Sequence, residues 1–151
     1  MKVDLNLSMF DYCAEISNKR MSQKEGYKSS NPMSKNYELV GILGEIVFGM
    51  LTGQMFDSRL KKCGDSGFDF ENGVQVKTSE KHKAKHLIEY VDKDFTKFKW
   101  YVFVVVDLNN KTGEVIGYIS VEDFLNKKRI INFGYGDRYA VDLSELKKIN
   151  L

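Results

Sequence analysis

The sequence predicts a single α/β domain with a mixed central β-sheet flanked by α-helices. Apolar residues recur at helical spacing in the first third of the chain, whereas later stretches alternate apolar and polar residues or are rich in β-branched residues. The predicted elements follow in the order helix, helix, hairpin, strand hairpin, helix and strand. At 151 residues, 42% of them hydrophobic, the chain is long enough for one domain with its own core.

The first 36 residues are predicted to form a helix followed by a basic arm. The helix covers residues 4–19, where the following apolar residues lie near helical spacing: Leu7, Phe10, Cys13, Ala14 and Ile16. Residues 19–36 are polar, include the only proline of the chain, Pro32, and are interpreted as a loop or mobile arm. Five basic residues and one acid give this arm a positive patch, which can contact phosphates or simply be solvated.

A second helix is predicted from residue 36 to residue 52, with Gly53 as its C-terminal stop. Glu45 is an acid in the middle of this apolar helix, and Gly41 and Gly49 lie four residues to either side. Each glycine costs a helix interior about 1 kcal/mol relative to alanine. The cost predicts that another part of the protein approaches the helix closely along this stripe. The alternative is that Glu45 simply points to water.

Residues 67–79 are predicted to form a β-hairpin, because apolar and polar side chains alternate on both sides of a turn sequence. A two-residue loop would place apolar residues opposite polar ones. We therefore predict a three-residue loop that ends at a left-handed Gly73 and puts Phe70 opposite Val74.

The same register gathers polar side chains on the other face of the hairpin. Phe68 pairs with Val76, Asp69 comes beside Gln75, and Lys77 follows two residues later. A carboxylate, an amide and an ammonium group are thus expected on one solvent-facing patch.

The second half of the chain supplies the rest of the predicted sheet. Residues 84–92 fit either a helix or an extended segment. Five further elements are predicted: a buried strand at residues 100–108, its hairpin partner at 115–119, a helix at 120–128 capped by Ser120, a strand at 138–143 and a short terminal helix capped by Ser144.

Charge and composition narrow the function classes. The formal net charge is only +2, so only local clusters such as the segment from Lys81 to His86 favour nucleic acid. Cys13 and Cys63 lack metal-ligand spacing and predict neither a zinc site nor a disulfide framework. The N-terminus has no apolar signal segment and no stretch approaches 18 apolar residues, so a cytoplasmic protein that does not associate with membranes is predicted.

Glu45 on a helix, Asp69 on one strand and Gln75-Val76-Lys77 on the next resemble the PD-(D/E)XK nuclease superfamily. The motifs cover residues 36–79, and the Gly-Ile-Leu-Gly-Glu stretch that ends at Glu45 is similar to the helical glutamate motif of Holliday-junction resolvases and restriction-type enzymes. Gln75 stands where the usual residue is an acid, and Ser-Gly replaces a proline that often precedes the aspartate region. The resemblance implies a restriction-endonuclease-like core at residues 37–151 behind an N-terminal extension at residues 1–36.

By this resemblance the protein is expected to be a divalent-metal-dependent DNA endonuclease. Asp69, Gln75 through Oε1, Val76 through its carbonyl and Glu45 would bind Mg²⁺, which prefers oxygen ligands, and Mn²⁺ is expected to substitute. Lys77 is expected to orient the attacking water or to stabilise the transition state. The implied catalytic residues are therefore Asp69, Gln75, Lys77 and Glu45, and no small-molecule cofactor is expected.

DNA is the expected partner of this site. Phosphate contacts are expected from the basic arm and from residues after the hairpin, namely Lys19, Arg20, Lys24, Lys28, Thr78, Ser79, Lys81 and Lys83. A homodimer is compatible with the sequence. His82 and His86 would face one metal only if their segment were helical, and no third ligand accompanies them.

Two alternatives belong to other function classes. The first is a nucleic-acid-binding module that has lost catalysis, with Gln75 as the trace of that loss. The second is a protein-interaction domain on the same scaffold.

Overall fold

A computed structural model of the chain describes residues 2–23, 37–54 and 69–150, with side chains described as far as residue 19 in the first range. The helices in these ranges are α1 (Leu7–Gln23), α2 (Tyr37–Thr52) and α3 (Val121–Lys127). The strands are β1 (Lys2–Asp4), β2 (Val74–Glu80), β3 (His86–Tyr90), β4 (Trp100–Asp107), β5 (Thr112–Ser120), β6 (Arg129–Asn132) and β7 (Asp137–Asp142). The predicted mixture of helices and strands is therefore confirmed.

The described strands form two sheets, whereas the sequence predicted one. The first sheet has the order β1-β5-β4-β2, in which β2 runs parallel to β4 and the other neighbours are antiparallel. This sheet is mixed, as predicted. The second sheet has the antiparallel order β3-β7-β6. The sequence did not predict this second sheet for two reasons. The segment that contains β3 was compatible with both a helix and an extended strand, and β6 is a strand of only four residues close behind α3.

Strand β4 is buried on both faces and separates two hydrophobic cores. Val102, Val104 and Val106 pack with residues of α1 and α2, whereas Tyr101 and Phe103 pack with residues of β3, β7 and α3. Fully burying one such aliphatic or phenylalanine side chain contributes roughly 1.5–3 kcal/mol. The first sheet is thus held between the helices on one face and the second sheet on the other.

The N-terminal helix begins later than predicted. Residues Lys2–Asp4 form β1, which pairs with β5, and Asn6 Oδ1 then accepts a hydrogen bond of 2.9 Å from the Met9 N–H. This contact satisfies one of the free N–H groups at the start of α1. The helix continues to Gln23, so Lys19 and Arg20 are helical. The remainder of the predicted arm, residues 24–36, lies outside the described residues.

Several local predictions are confirmed. Helix α2 ends before Gly53, whose φ of +70° is the left-handed conformation of a helix stop. The hairpin of β4 and β5 and the strand β7 are present. Helix α3 is capped by Ser120, whose Oγ accepts a hydrogen bond of 3.0 Å from the Asp123 N–H.

The predicted C-terminal helix is wrong. Residues Leu143–Glu145 form a single 3₁₀ turn, and Leu146 returns to extended backbone at φ −76° and ψ 138°. Lys147 instead pairs with Tyr118 of β5 through two backbone hydrogen bonds of 2.9 Å. This pairing with the first sheet holds the chain in an extended conformation.

Candidate metal centre

The turn before β2 has the predicted register. Phe70 forms an antiparallel bridge with Val74, and the Gly73 N–H donates a hydrogen bond of 3.0 Å to the Phe70 carbonyl. Gly73 has a φ of +71°, which an L side chain would adopt only with strain. The three-residue loop is thereby confirmed, while the pairing predicted for Phe68 lies outside the described residues.

Asp69 lies beside Gln75, as the register requires. Its Oδ2 accepts a hydrogen bond of 2.9 Å from Gln75 Nε2 and another of 2.6 Å from the Val76 N–H. The N–H and C=O of one strand residue point to the same side. Because the Val76 N–H points to Asp69, its carbonyl also lies on the Asp69 side of β2. The two strand residues predicted to bind metal therefore both adjoin the Asp69 carboxylate.

Gln75 is buried, and the predicted solvent-facing patch is wrong at this residue. Its exposed fraction is 6%, and on the same face of β2 Lys77 meets Glu89 of the second sheet. Gln75 Oε1 has no hydrogen-bond donor among the described residues. Leaving a buried acceptor unsatisfied costs about 1–3 kcal/mol, so this oxygen is a candidate ligand atom.

The Asp69–Gln75 pair fits an oxygen-ligated cation in spacing. Oxygens at adjacent corners of a Mg²⁺ octahedron, each 2.0–2.1 Å from the ion, are about 2.9 Å apart. The Asp69 Oδ2 and the Gln75 amide nitrogen are separated by this same 2.9 Å. Binding a cation at this spacing requires a half-turn of the amide, which brings Oε1 to the place of Nε2 beside Asp69 Oδ2. The cation would then supply the partner that Oε1 lacks among the described residues of the protein.

Lys77 is held by a residue that the sequence did not single out. Its Nζ lies 2.8 Å from Oε2 of Glu89 on β3, and the Glu89 side chain is only 1% exposed. The Tyr101 hydroxyl donates to the same oxygen, and the Tyr90 N–H donates to Glu89 Oε1, both at 2.9 Å. Burial alone would raise the pKa of Glu89, but the Lys77 ammonium and the hydrogen bond from the Tyr90 N–H hold it below the ordinary glutamate value. Burial and the Glu89 carboxylate raise the pKa of Tyr101.

The only sequence signal for Glu89 was its position as an acid between the pairs Leu87-Ile88 and Tyr90-Val91. Because the segment was compatible with both a helix and a strand, this position did not indicate which way the Glu89 side chain points.

Helix α2 approaches β2 at Gly44, which is not in the predicted stripe. A Cβ at Gly44 would overlap the Thr78 side chain, whereas a Cβ at Gly41 would have nothing within 4 Å. A Cβ at Gly49 would lie 2.9 Å from the Gln54 carbonyl oxygen. The prediction of close approach is therefore correct at Gly49 and wrong at Gly41. Gly44 is needed because β2 packs directly beneath that turn of the helix.

Glu45 follows Gly44 and is half-buried. Burial of Cys13 on α1, together with the charge of Glu45, raises the pKa of the Cys13 thiol to about 11. Glu45 is thus close enough to α1 to act on Cys13 electrostatically. Its convergence with Asp69 and Gln75 stays a prediction.

The residues expected to contact phosphates lie in several places. Lys19 forms an exposed ion pair of 2.9 Å with Glu15, and Thr78 is half-buried against α2. Lys24 and Lys28 lie outside the described residues, and the side chain of Arg20 is also not described. Surface ion pairs of this kind contribute little to stability.

The basic segment after β2 is a 3₁₀ turn followed by a strand. Lys81 lies 3.6 Å from Asp107, and Lys83 lies 3.9 Å from Glu80. His82 is in the turn and His86 is in β3, so the helical spacing that a shared metal would require is absent. The two histidines also face different acids, since His86 lies 3.0 Å from Asp142.

In the described ranges, no cluster of three or more His, Cys, Asp and Glu side chains is arranged to hold a metal ion. The candidate centre does not depend on such a cluster, because Gln75 and the Val76 carbonyl are neutral oxygen donors.

No described helix has both the length and the apolar character needed to cross a membrane. Comparisons with protein-family models, curated proteins and solved structures gave no match.

Proposed function

We propose that this protein is a divalent-metal-dependent nuclease of the PD-(D/E)XK type that hydrolyses phosphodiester bonds, with DNA as its substrate. The observation that carries the proposal is the Asp69–Gln75 contact of 2.9 Å beside a buried Gln75 Oε1 that lacks a donor among the described residues. A strand pair that served only as a solvated surface would not bury such an oxygen. DNA as the substrate, Glu45 as a further ligand and Mg²⁺ as the metal rest on the sequence resemblance.

Each residue of the centre has a distinct role in this proposal. Asp69 supplies the negative charge, while Gln75 Oε1 and the Val76 carbonyl supply neutral oxygens. Bound Mg²⁺ supplies charge neutralisation at the phosphate and lowers the pKa of an attacking water. Lys77, two residues beyond Gln75 on the same face of β2, places a positive charge where the phosphate oxygens gain negative charge in the transition state.

A second candidate function is favoured by the ion pair of Lys77 with Glu89. The 2.8 Å contact places a carboxylate against the ammonium group that the mechanism requires. A permanently paired Lys77 would stabilise the fold without assisting catalysis. This pairing supports the alternative of a nucleic-acid-binding module that has lost hydrolysis.

Cleavage assays separate the two functions. We expect linear, nicked or branched DNA to be cut with Mg²⁺ or Mn²⁺, and Asp69→Asn to abolish cutting while the fold remains intact. Asp92→Asn is the matched control, because Asp92 is an exposed aspartate in the turn after β3. Salt-dependent DNA binding without cleavage under any of these conditions would reject the nuclease and support the binding module. Equal cleavage by the Asp69 and Asp92 variants would reject this centre as the active site.

A further inference from the structure

The face of β2 that carries Lys77 borders a cleft that is lined by residues of both sheets. The cleft has a volume of about 200 Å³, and its polar lining includes Ser79, His86, Glu89 and Arg138. Sites for drug-sized ligands typically have volumes of about 300–1,000 Å³. This cleft therefore fits a small ion or one unit of a polymer.

Arg138 is a buried cation in the wall of this cleft. Its exposed fraction is 7%, and its Nη1 donates a hydrogen bond of 2.9 Å to the Asp137 carbonyl. Arg138 forms no ion pair with a carboxylate in the part of the chain that the structure describes. A guanidinium has five N–H donors, so most of its hydrogen-bonding capacity is not used by that one carbonyl.

Two aromatic rings fix the position of this guanidinium. Its Cζ lies 4.4 Å from the ring centroid of Tyr90 and 5.2 Å from that of Tyr135. Arg138 itself lies on β7, the central strand of the second sheet, where its register partners are Tyr90 and Ile131. A planar guanidinium held in this way presents its donors as a rigid fork, the geometry that matches a phosphate group.

The other ionisable side chains of the cleft already have partners. Lys77 is paired with Glu89, and His86 Nε2 lies 3.0 Å from Asp142 Oδ1. The positive charge of Arg138 is the one left without a carboxylate among the described lining residues. Burying a charge without a counter-ion is unfavourable, and the rings offset only part of that cost. An anion bound in the cleft would supply the missing charge.

We propose that this cleft binds one phosphate group of the nucleic-acid strand on which the candidate metal centre acts, with Arg138 as its main ligand. The Ser79 hydroxyl, which donates to the Glu80 carbonyl at 3.2 Å in this structure, turns to the phosphate as a second donor. The inference rests on the proposed nuclease function for the identity of the strand. Ser79 lies four residues after Gln75, about 13 Å along an extended strand. The phosphate in the cleft is therefore about two nucleotides along the strand from the phosphate that is cut, and Arg138 positions the strand.

Inorganic phosphate is the first probe, titrated into the intact chain by NMR without divalent metal and at constant ionic strength. Arg138→Met should weaken phosphate binding about 10–100-fold, since hydrogen bonds to charged groups are lost. Arg129→Met is the matched control, because Arg129 is an exposed arginine of the same sheet that is paired with Asp142 at 2.7 Å. Equal losses in the two variants would overturn the assignment of the site to Arg138.

A short single-stranded DNA is the second probe and identifies the source of the phosphate. In an Asp69→Asn background, Arg138→Met should lower the slope of log affinity against log salt by about 0.7, the contribution of one phosphate contact. Arg129→Met should leave the slope unchanged. If Arg138→Met weakens inorganic phosphate binding but leaves DNA binding unaffected, the cleft takes a free phosphate compound and the assignment to a nucleic-acid strand is overturned.

The wild-type titration keeps the inference testable even if Arg138→Met does not fold. Phosphate, in contrast to chloride, should shift the Arg138 side-chain and Ser79 amide signals before those of Arg129. Absence of such shifts up to tens of millimolar phosphate would overturn the site. If the protein cleaves DNA but does not bind phosphate in the cleft, the cleft proposal alone is rejected. If it binds phosphate but does not cleave DNA, only the proposed nuclease activity is rejected.

Discussion

The buried carboxylate of Glu89 gives the sharpest prediction for stability. It accepts hydrogen bonds from the Tyr90 N–H and the Tyr101 hydroxyl and forms an ion pair with Lys77. In Glu89→Gln the side chain keeps its volume, but one acceptor oxygen becomes an NH₂ donor. That donor must face either the Tyr90 N–H or the Lys77 ammonium. Both arrangements place donor against donor.

The expected loss of stability follows from these contacts. Removing one partner of a fully buried ion pair costs about 3–5 kcal/mol. The Lys77 side chain is 25% exposed, so water can solvate part of its charge, and the expected loss falls to about 2–3 kcal/mol. At about 2–4 °C per kcal/mol for a chain of this size, the melting temperature should fall by roughly 4–12 °C.

Urea unfolding of three variants measures this loss. Tyr101→Phe removes one hydrogen bond and should cost about 1 kcal/mol, and Glu114→Gln, an exposed glutamate on β5, should change stability by less than about 0.5 kcal/mol. A double-mutant cycle with Lys77→Met isolates the ion pair. A loss at Glu89 no greater than at Glu114 would refute the reasoning.

The pH dependence tests the same ion pair independently. Because the pKa of Glu89 is lower in the folded than in the unfolded chain, its contribution is fully present above about pH 4.5 and is lost as pH falls through the folded-state value. The stability difference between wild type and Glu89→Gln should therefore shrink on acidification below pH 4.5. A difference that grows there would contradict the pairing.

Three other predictions concern α2 and the candidate centre. Gly41→Ala should stabilise the protein by about 0.5–1 kcal/mol in urea unfolding, because the site is open, whereas Gly44→Ala should destabilise it by about 1–3 kcal/mol through overlap with β2. The opposite order would refute the close approach. Gln75→Glu adds a negative charge among the ligands proposed for a hard cation. It should therefore destabilise the metal-free protein and tighten Mg²⁺ binding measured by calorimetry. An unchanged Mg²⁺ affinity would argue against metal binding at this centre. In a Cys63→Ser variant, the native Cys13 thiol, with its pKa near 11, should resist thiol reagents at pH 8 until urea unfolds the chain, and rapid native labelling would contradict its burial.

The parts of the centre that the sequence predicted depend on neighbours within a few residues. The loop that ends at Gly73 follows from the two-residue side-chain period, because only one register keeps apolar residues on one face. The contact of Asp69 with Gln75 then follows from that register. The cap at Ser120 was predictable for the same reason, since its partner is three residues away.

The parts that could not be predicted depend on how separate layers meet. The pairing of Lys77 with Glu89 requires the second sheet to lie against β2, which no local pattern specifies. The burial of Gln75 is likewise a property of the folded chain that the local pattern did not indicate. Spacing from Glu45 favoured Gly41 over Gly44, although Gly44 is the glycine that faces Thr78 of β2. Only the position of β2 beneath the helix decides which glycine is needed.

The ion pair of Lys77 with Glu89 determines how the catalytic role of Lys77 must be tested. Glu89 reduces the positive charge that Lys77 can offer to a phosphate, yet it also fixes the ammonium two residues from Gln75 on the same face of β2. Removing the carboxylate should therefore have effects of opposite sign, weakening the fold while strengthening the attraction of β2 for phosphate. If Lys77 were purely structural, the gain in DNA affinity would be the same when Lys77→Met is also present. DNA affinity and unfolding free energy, measured on Glu89→Gln with and without Lys77→Met, therefore separate a lysine that acts on substrate from one that only supports the sheets.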